Sequence, residues 1–169
     1  MRDMSLTDAY RTVVLEHNRA PRRRGRLAAP DVSAEGVNKL CGDSLTLDLR
    51  IVDERIAAYG FDAEASALTL AATSIMGDLI EGRTVDEATE LANAALDLVT
   101  RNPERAADPR LGDFNCFLGV LGYPNRVKTV TLPWATLAGA LAGRLRTSTD
   151  IDVRGADPAR PPRQGVHHE

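Results

Sequence analysis

A chain of 169 residues with 43% hydrophobic content can fill one core and carry a tail, and it is short for two sizeable domains. Its 21 Lys and Arg against 24 Asp and Glu leave a formal charge of -3, which excludes a global attraction to nucleic acid or anionic membrane and leaves partners to local patches. No apolar run is long enough to span a bilayer, and two distant cysteines, Cys41 and Cys116, with no secretory leader before them, make no disulfide framework and fit a reducing, cytoplasmic setting.

Leu6, Ala9, Tyr10, Val13, Val14 and His17 recur at helical spacing, with Ser5 or Thr7 placed to cap and Pro21 to stop the helix. His17 continues the apolar stripe, so it reads as packed or capping, with a metal role left open. Arg19, Arg22, Arg23, Arg24 and Arg26 then form a basic loop, either a solvated connection or an electrostatic handle for an acidic partner or phosphate. Nucleic-acid binding would call for interleaved aromatic residues, and the loop has none.

A strand between Asp31 and Lys39 has a poor pattern. Lys39-Leu40-Cys41-Gly42-Asp43 follows, setting a thiol and a carboxylate on either side of a glycine. From there Leu45, Leu47, Leu49 and Ile51 alternate with Thr46, Asp48 and Arg50, the period of a strand with one buried and one wet face. Gly42 marks a turn able to present Cys41 and Asp43 at the mouth of a sheet. The competing reading is a structural thiol followed by a Gly-Asp turn. Asp53-Glu54 turns the chain into a second strand, Arg55 to Phe61.

Leu68, Ala71, Ala72, Ile75 and Leu79 mark a helix from Ser66 that stops at Gly82. Thr84 and Glu87 have capping-box spacing ahead of Ala88, Leu91, Ala92, Ala95 and Val99, a helix that finishes around Arg101. Asn102 to Arg110 is a loop, and Leu111 to Tyr123 is a short apolar segment with Cys116 in the core. Val127, Val130, Trp134, Leu137, Ala138, Leu141 and Leu145 line a last helical face; Pro133 makes that helix start near Leu132 or kink there. From Thr147 the apolar periodicity ends, and a disordered tail over 147–169 is expected, His167 and His168 included. The whole reads as α+β: a small antiparallel sheet of about three strands packed against four to five helices, one domain over 1–146.

Several phrases resemble the NifU N-terminal, IscU-like family of iron–sulfur cluster assembly proteins, in particular its SufU-like branch in SUF systems. They are Val14-Leu15-Glu16-His17 leading to Pro21 and Gly25, Cys41-Gly42-Asp43 opening a strand, Phe61-Asp62-Ala63-Glu64, and Glu81-Gly82-Arg83-Thr84-Val85. Leu111-Gly112-Asp113, Gly119-Val120, Tyr123-Pro124, Arg126-Val127-Lys128, Leu132 and Trp134 resemble the insertion that separates the SufU-like branch from ordinary IscU-type scaffolds.

The resemblance implies three cysteines and one aspartate holding zinc or a transient iron–sulfur cluster. Cys41 and Asp43 match this pattern; Ser66 and Thr129 stand where the other two cysteines are expected, and hydroxyls are poor substitutes for thiolate at such a site. His17, Glu64 and Cys116 are the candidate replacements. The implied partners are a SUF-type cysteine desulfurase and downstream iron–sulfur assembly proteins, with no nucleic acid and no membrane. Cys41 alone suffices to accept persulfide sulfur; Asp43 disfavours its thiolate, and Lys39 is the nearest compensating cation. Two functions follow: a sulfurtransferase or scaffold using Cys41 and Asp43, or a degenerate, metal-free module that docks a desulfurase without sulfur or cluster chemistry.

Overall fold

The computed structural model describes residues 6–149. The first helix, α1, runs over Leu6–Arg19, its stripe turned inward so that Val14 and His17 are buried. Strands β1 (Val32–Asn38), β2 (Asp43–Val52) and β3 (Arg55–Glu64) follow, with β2 antiparallel to both neighbours. The β2–β3 turn is carried by Asp53 and Glu54 at φ 50 and 61, the doubly positive pair of a hairpin whose twist matches its strands. Helix α2 (Ala67–Ile80) ends into Gly82 at φ +84, a left-handed position that costs glycine nothing. Helix α3 (Val85–Thr100) opens with both bonds of the Thr84–Glu87 capping box.

Pro109–Val120 winds as a 3-10 helix broken at Gly112, and α4 spans Pro124–Leu141 with Pro133 inside it. Of the two outcomes that Pro133 allowed, the helix therefore runs through the proline instead of starting at Leu132. Leu145 does not belong to its face: the helix ends at Leu141, Gly143 takes φ +86, and Leu145 is 65% exposed.

The sheet has four strands rather than three, in the order β3-β2-β1-β4, and it is mixed: β4 (Arg146–Ser148) pairs parallel to β1. Thr147 and Ser148, which composition puts in a tail, thus extend the sheet. Edge strands pair through backbone groups and need no apolar alternation, so nothing in the side chains announces this one. Thr149 follows, donating its N–H to the Val37 carbonyl at 3.2 Å. The remainder of the expected tail, with His167 and His168, lies outside the described residues, as does Ser5.

The helices cover one face of the sheet. Leu45, Leu47, Leu49, Tyr59 and Phe61 join one core with the helices; Tyr59 donates its hydroxyl to the Thr73 carbonyl of α2, which is buried around most of its circumference. Trp134 on α4 packs edge-on against Phe114, with ring centroids 5.5 Å apart, and Phe114 meets Phe117 in the same way at 5.2 Å, a geometry favoured by the ring quadrupoles. Cys116 lies in this core, 6% exposed. Among the described residues, no helix is long and apolar enough to cross a membrane.

The other sheet face is not wet where the alternation predicts. Asp48 is fully buried, because the segment after α1 folds across β2 and addresses its carboxylate. Arg26 donates at 2.6 and 3.2 Å, the Leu27 N–H at 3.0 Å and the Ser33 hydroxyl at 2.5 Å. Arg22 and Arg23 pair with Asp78, Glu16 and Glu81, and Arg24 with Asp62. Four of the five arginines, Arg22, Arg23, Arg24 and Arg26, are therefore compensated within the fold, which removes them as a handle for an acidic partner, while Arg19 is exposed.

Burial pushes the Asp48 carboxyl up, but the bonds from Arg26, Ser33 and the Leu27 N–H outweigh it and hold the group below its ordinary value. A carboxyl lowered by folding stabilises the fold above its unfolded value of about 3.9 and loses that contribution as pH falls through the folded value. We expect Asp48→Ala to destabilise the protein by about 3 kcal/mol and to weaken the acid dependence of stability, both measured by urea unfolding at pH 7 and at pH 3–5. Unchanged stability at neutral pH would show that this carboxylate does not fasten the segment.

Candidate functional site

Asn38 closes β1 opposite Asp43, which opens β2, so residues 39–42 form the loop at that end of the sheet. Gly42 turns it at φ +70 and donates its N–H to the Lys39 carbonyl at 3.3 Å. The Cys41 N–H donates to Asn38 Oδ1 at 3.3 Å, and Asn38 is itself fully buried. Cys41 is exposed and not in a disulfide, and its neighbour Leu40 is 72% exposed. The loop therefore presents a thiol and an apolar side chain to the outside from a buried base.

Asp43 belongs to that base and is only 3% exposed. Its Oδ1 accepts the Ser66 N–H at 2.7 Å; its Oδ2 accepts the Thr69 hydroxyl at 2.7 Å and, more weakly, the Ser66 hydroxyl at 3.4 Å. Ser66 is the N-cap of α2, yet its own side chain makes no capping bond. The carboxylate from β2 takes that place, satisfying an orphan N–H and sitting at the positive end of the helix dipole.

Thr69 also explains how α4 tolerates Pro133. A proline at 133 cannot donate to the carbonyl of Thr129, and the Thr69 hydroxyl lies 3.2 Å from that carbonyl oxygen. One hydroxyl proton thus stands between two acceptors, with the shorter contact to Asp43. The hydroxyl of Thr129 turns away, donating to the Arg126 carbonyl at 2.6 Å. Sequence reasoning marked Pro133 as a disturbance of this helix but missed Thr69; the signal was the bond missing at Pro133, which demanded a buried donor from elsewhere.

The four positions of the expected ligand set therefore divide. Asp43 and Ser66 are brought into contact and Thr129 is linked to them through its carbonyl, while Cys41 sits on the loop above. This donor set does not fit zinc or a cluster, because two of the four positions carry hydroxyls and both Asp43 oxygens are already engaged. The replacement candidates do not remedy this. His17 bonds Ser74 Oγ at 2.7 Å through Nδ1, and burial, then Arg22, lowers its pKa. Glu64 is exposed at the end of β3. Burial, then Asp113, pushes the Cys116 thiol up to about 12. Among the described residues, no group of three or more His, Cys, Asp or Glu is placed to hold a metal ion.

A model of the NifU-like N terminal domain matches residues 9–130. The iron–sulfur cluster assembly scaffold protein IscU of Streptococcus pyogenes serotype M1 is 29% identical over 151 residues, covering 88% of this chain and 94% of that protein. The zinc-dependent sulfurtransferase SufU of Bacillus subtilis (strain 168) is 27% identical over 138 residues, covering 82% of this chain and 92% of that one. Among solved structures, a nitrogen-fixing NifU-like protein (N-terminal) from Brucella abortus aligns with a TM-score of 0.72 at 28% identity, covering 82% of this chain and 96% of the other.

The two thiols should separate cleanly by reactivity, since only the thiolate is nucleophilic and only Cys41 is reachable. In the native protein at pH 8, we expect a disulfide reagent to label one thiol per chain, with labelling lost in Cys41→Ser and Cys116 reacting only after denaturation. Rapid native labelling of Cys116 would show that its segment opens.

Proposed function

The chain belongs to the NifU-like N-terminal domain family, the family of IscU- and SufU-like iron–sulfur cluster assembly scaffolds, and from that premise we propose that it accepts persulfide sulfur on Cys41 without a resident metal. The observation that carries this reading is the pairing of an exposed thiol with a carboxylate already occupied by Ser66 and Thr69. The donor of sulfur would be a cysteine desulfurase of SUF type, and the recipients downstream assembly proteins.

The step needs only a thiol and a persulfide. The Cys41 thiolate attacks the outer sulfur of the desulfurase persulfide; a new S–S bond forms as the old one breaks, and the electron pair leaves on the desulfurase thiolate. Cys41 becomes the persulfide, its former thiol proton having passed to solvent, and there is no net oxidation. Asp43 takes no direct part: it anchors the end of β2 to α2 and so fixes the base from which the loop projects. A second reading, a docking module with no sulfur chemistry, draws support from the hydroxyls at both Ser66 and Thr129.

Incubation with a SUF-type cysteine desulfurase and free cysteine separates the two. We expect intact-mass spectrometry to show one sulfur atom added to the wild type and none to Cys41→Ser; an unmodified wild type would favour the docking module. Purified without chelators, the protein should carry far less than one zinc or iron per chain, whereas Ser66→Cys combined with Thr129→Cys should restore about one zinc per chain. About one zinc in the wild type, lost on Cys41→Ser, would overturn the metal-free reading.

A further inference from the structure

The C-terminal end of α3, the loop after it and the first two turns of α4 enclose a cleft of about 420 Å³, within the range of ligand and peptide-side-chain sites. Val99, Leu121 and Val127 contribute apolar wall, and Arg101, Arg105 and Lys128 bring three cations to it. Their situation is unlike that of the loop after α1. Arg22, Arg23, Arg24 and Arg26 each face a carboxylate, as do Arg83 and Arg110. Arg101, Arg105 and Lys128 have no ion pair among the described residues. In a chain of formal charge -3, these three cations gather on one cleft whose lining carries no carboxylate.

Arg105 is also held in place. Its φ is 53, a left-handed conformation that disfavours a side chain. The bend is cross-linked by the Arg105 N–H to the Asn102 carbonyl, at 3.2 Å, and by two bonds between the Asn102 side chain and the Ala106 backbone, at 2.8 and 3.2 Å. The other described non-glycine residues at positive φ have local reasons: Asp53 and Glu54 form the hairpin turn, and Arg23 is fixed by Asp78 and Glu81. At Arg105 the strained bend carries a cation that has no ion pair among the described residues. The opening turn of α4 adds no acidic residue, and the positive end of its dipole further favours negative charge there.

We propose that this cleft docks an acidic segment of a partner protein, with carboxylates meeting Arg101, Arg105 and Lys128 and an apolar side chain entering between Val99, Leu121 and Val127. Charge complementarity selects the partner, because burial of the apolar side chain is available to many sequences while three unpaired cations reject basic ones. The site is separate from Cys41, so the inference does not depend on sulfur transfer.

The test is fluorescence polarisation of a labelled peptide of alternating Asp and Leu with the full-length protein. Binding is expected, weakened by salt and lost when the peptide's Asp residues are replaced by Asn. Arg101→Glu with Arg105→Glu should weaken it about tenfold or more, the scale of one close charge pair; Arg19→Glu, exposed and outside the cleft, should leave it unchanged. No binding, or equal binding of the Asn peptide, overturns the proposal. Displacement of the peptide by equimolar inorganic phosphate would overturn it in favour of a small-anion site. A severalfold gain in affinity on Asp150→Asn with Asp152→Asn in the full chain would overturn it in favour of the protein's own carboxylates as occupant.

Discussion

The carboxylate of Asp43 is the point at which the sheet, α2 and, through Thr69, the proline-broken part of α4 are joined. A carboxylate taken out of water is tolerated only when its lone pairs are filled, and here they are filled by the N-terminus of α2 and the Thr69 hydroxyl. That requirement sets the order of the site: β2 must begin beside the start of α2, and α2 must lie close enough to α4 for Thr69 to reach the Thr129 carbonyl. The loop bearing Cys41 inherits its position from this junction, since Asn38 and Asp43 are its two posts.

The same hydrogen bonds decide the chemistry. At a metal site, an aspartate and soft thiolates converge on an ion; in this chain, an aspartate and hydroxyls converge on one another. Ser66, Thr69 and Thr129 are hard donors with their own hydrogen-bond obligations, and Pro133 adds a further one by removing a helix N–H. The Thr129 carbonyl, left without a helix N–H by Pro133, lies 3.2 Å from the Thr69 hydroxyl, whose shorter contact is to the Asp43 carboxylate. Cys41 stands exposed on the loop above this hydrogen-bonded base.

Charge is distributed on the same logic. Asp48, on the sheet face away from the helices, fastens the segment after α1 by Arg26, Leu27 and Ser33, and the neighbouring arginines are spent on Asp78, Glu81 and Asp62. Exposed pairs of this kind add little stability each, but they set a carboxylate beside each of these arginines. What positive surface stays uncompensated among the described residues includes the cleft beside α3.

Periodicity and turn chemistry by themselves determined α1, the β2–β3 hairpin, α2 and α3, because these depend on neighbours within a few residues: the stripe ending at His17, the Asp53-Glu54 turn, the Thr84–Glu87 box and Gly82 all act locally. The Cys41-Gly42-Asp43 motif, with Ser66 and Thr129 at the expected ligand positions, was equally legible, as motif positions need no coordinates. Tertiary structure alone decided the rest. Strand β4 pairs through backbone atoms and leaves no side-chain signature; Asp48 is buried only because a segment some twenty residues earlier crosses it; and Thr69 bonds Asp43 and Thr129 across separations of 26 and 60 residues. A polar side chain carries no mark of whether water or a distant partner will satisfy it, so the fate of each buried hydroxyl and carboxylate was settled by packing.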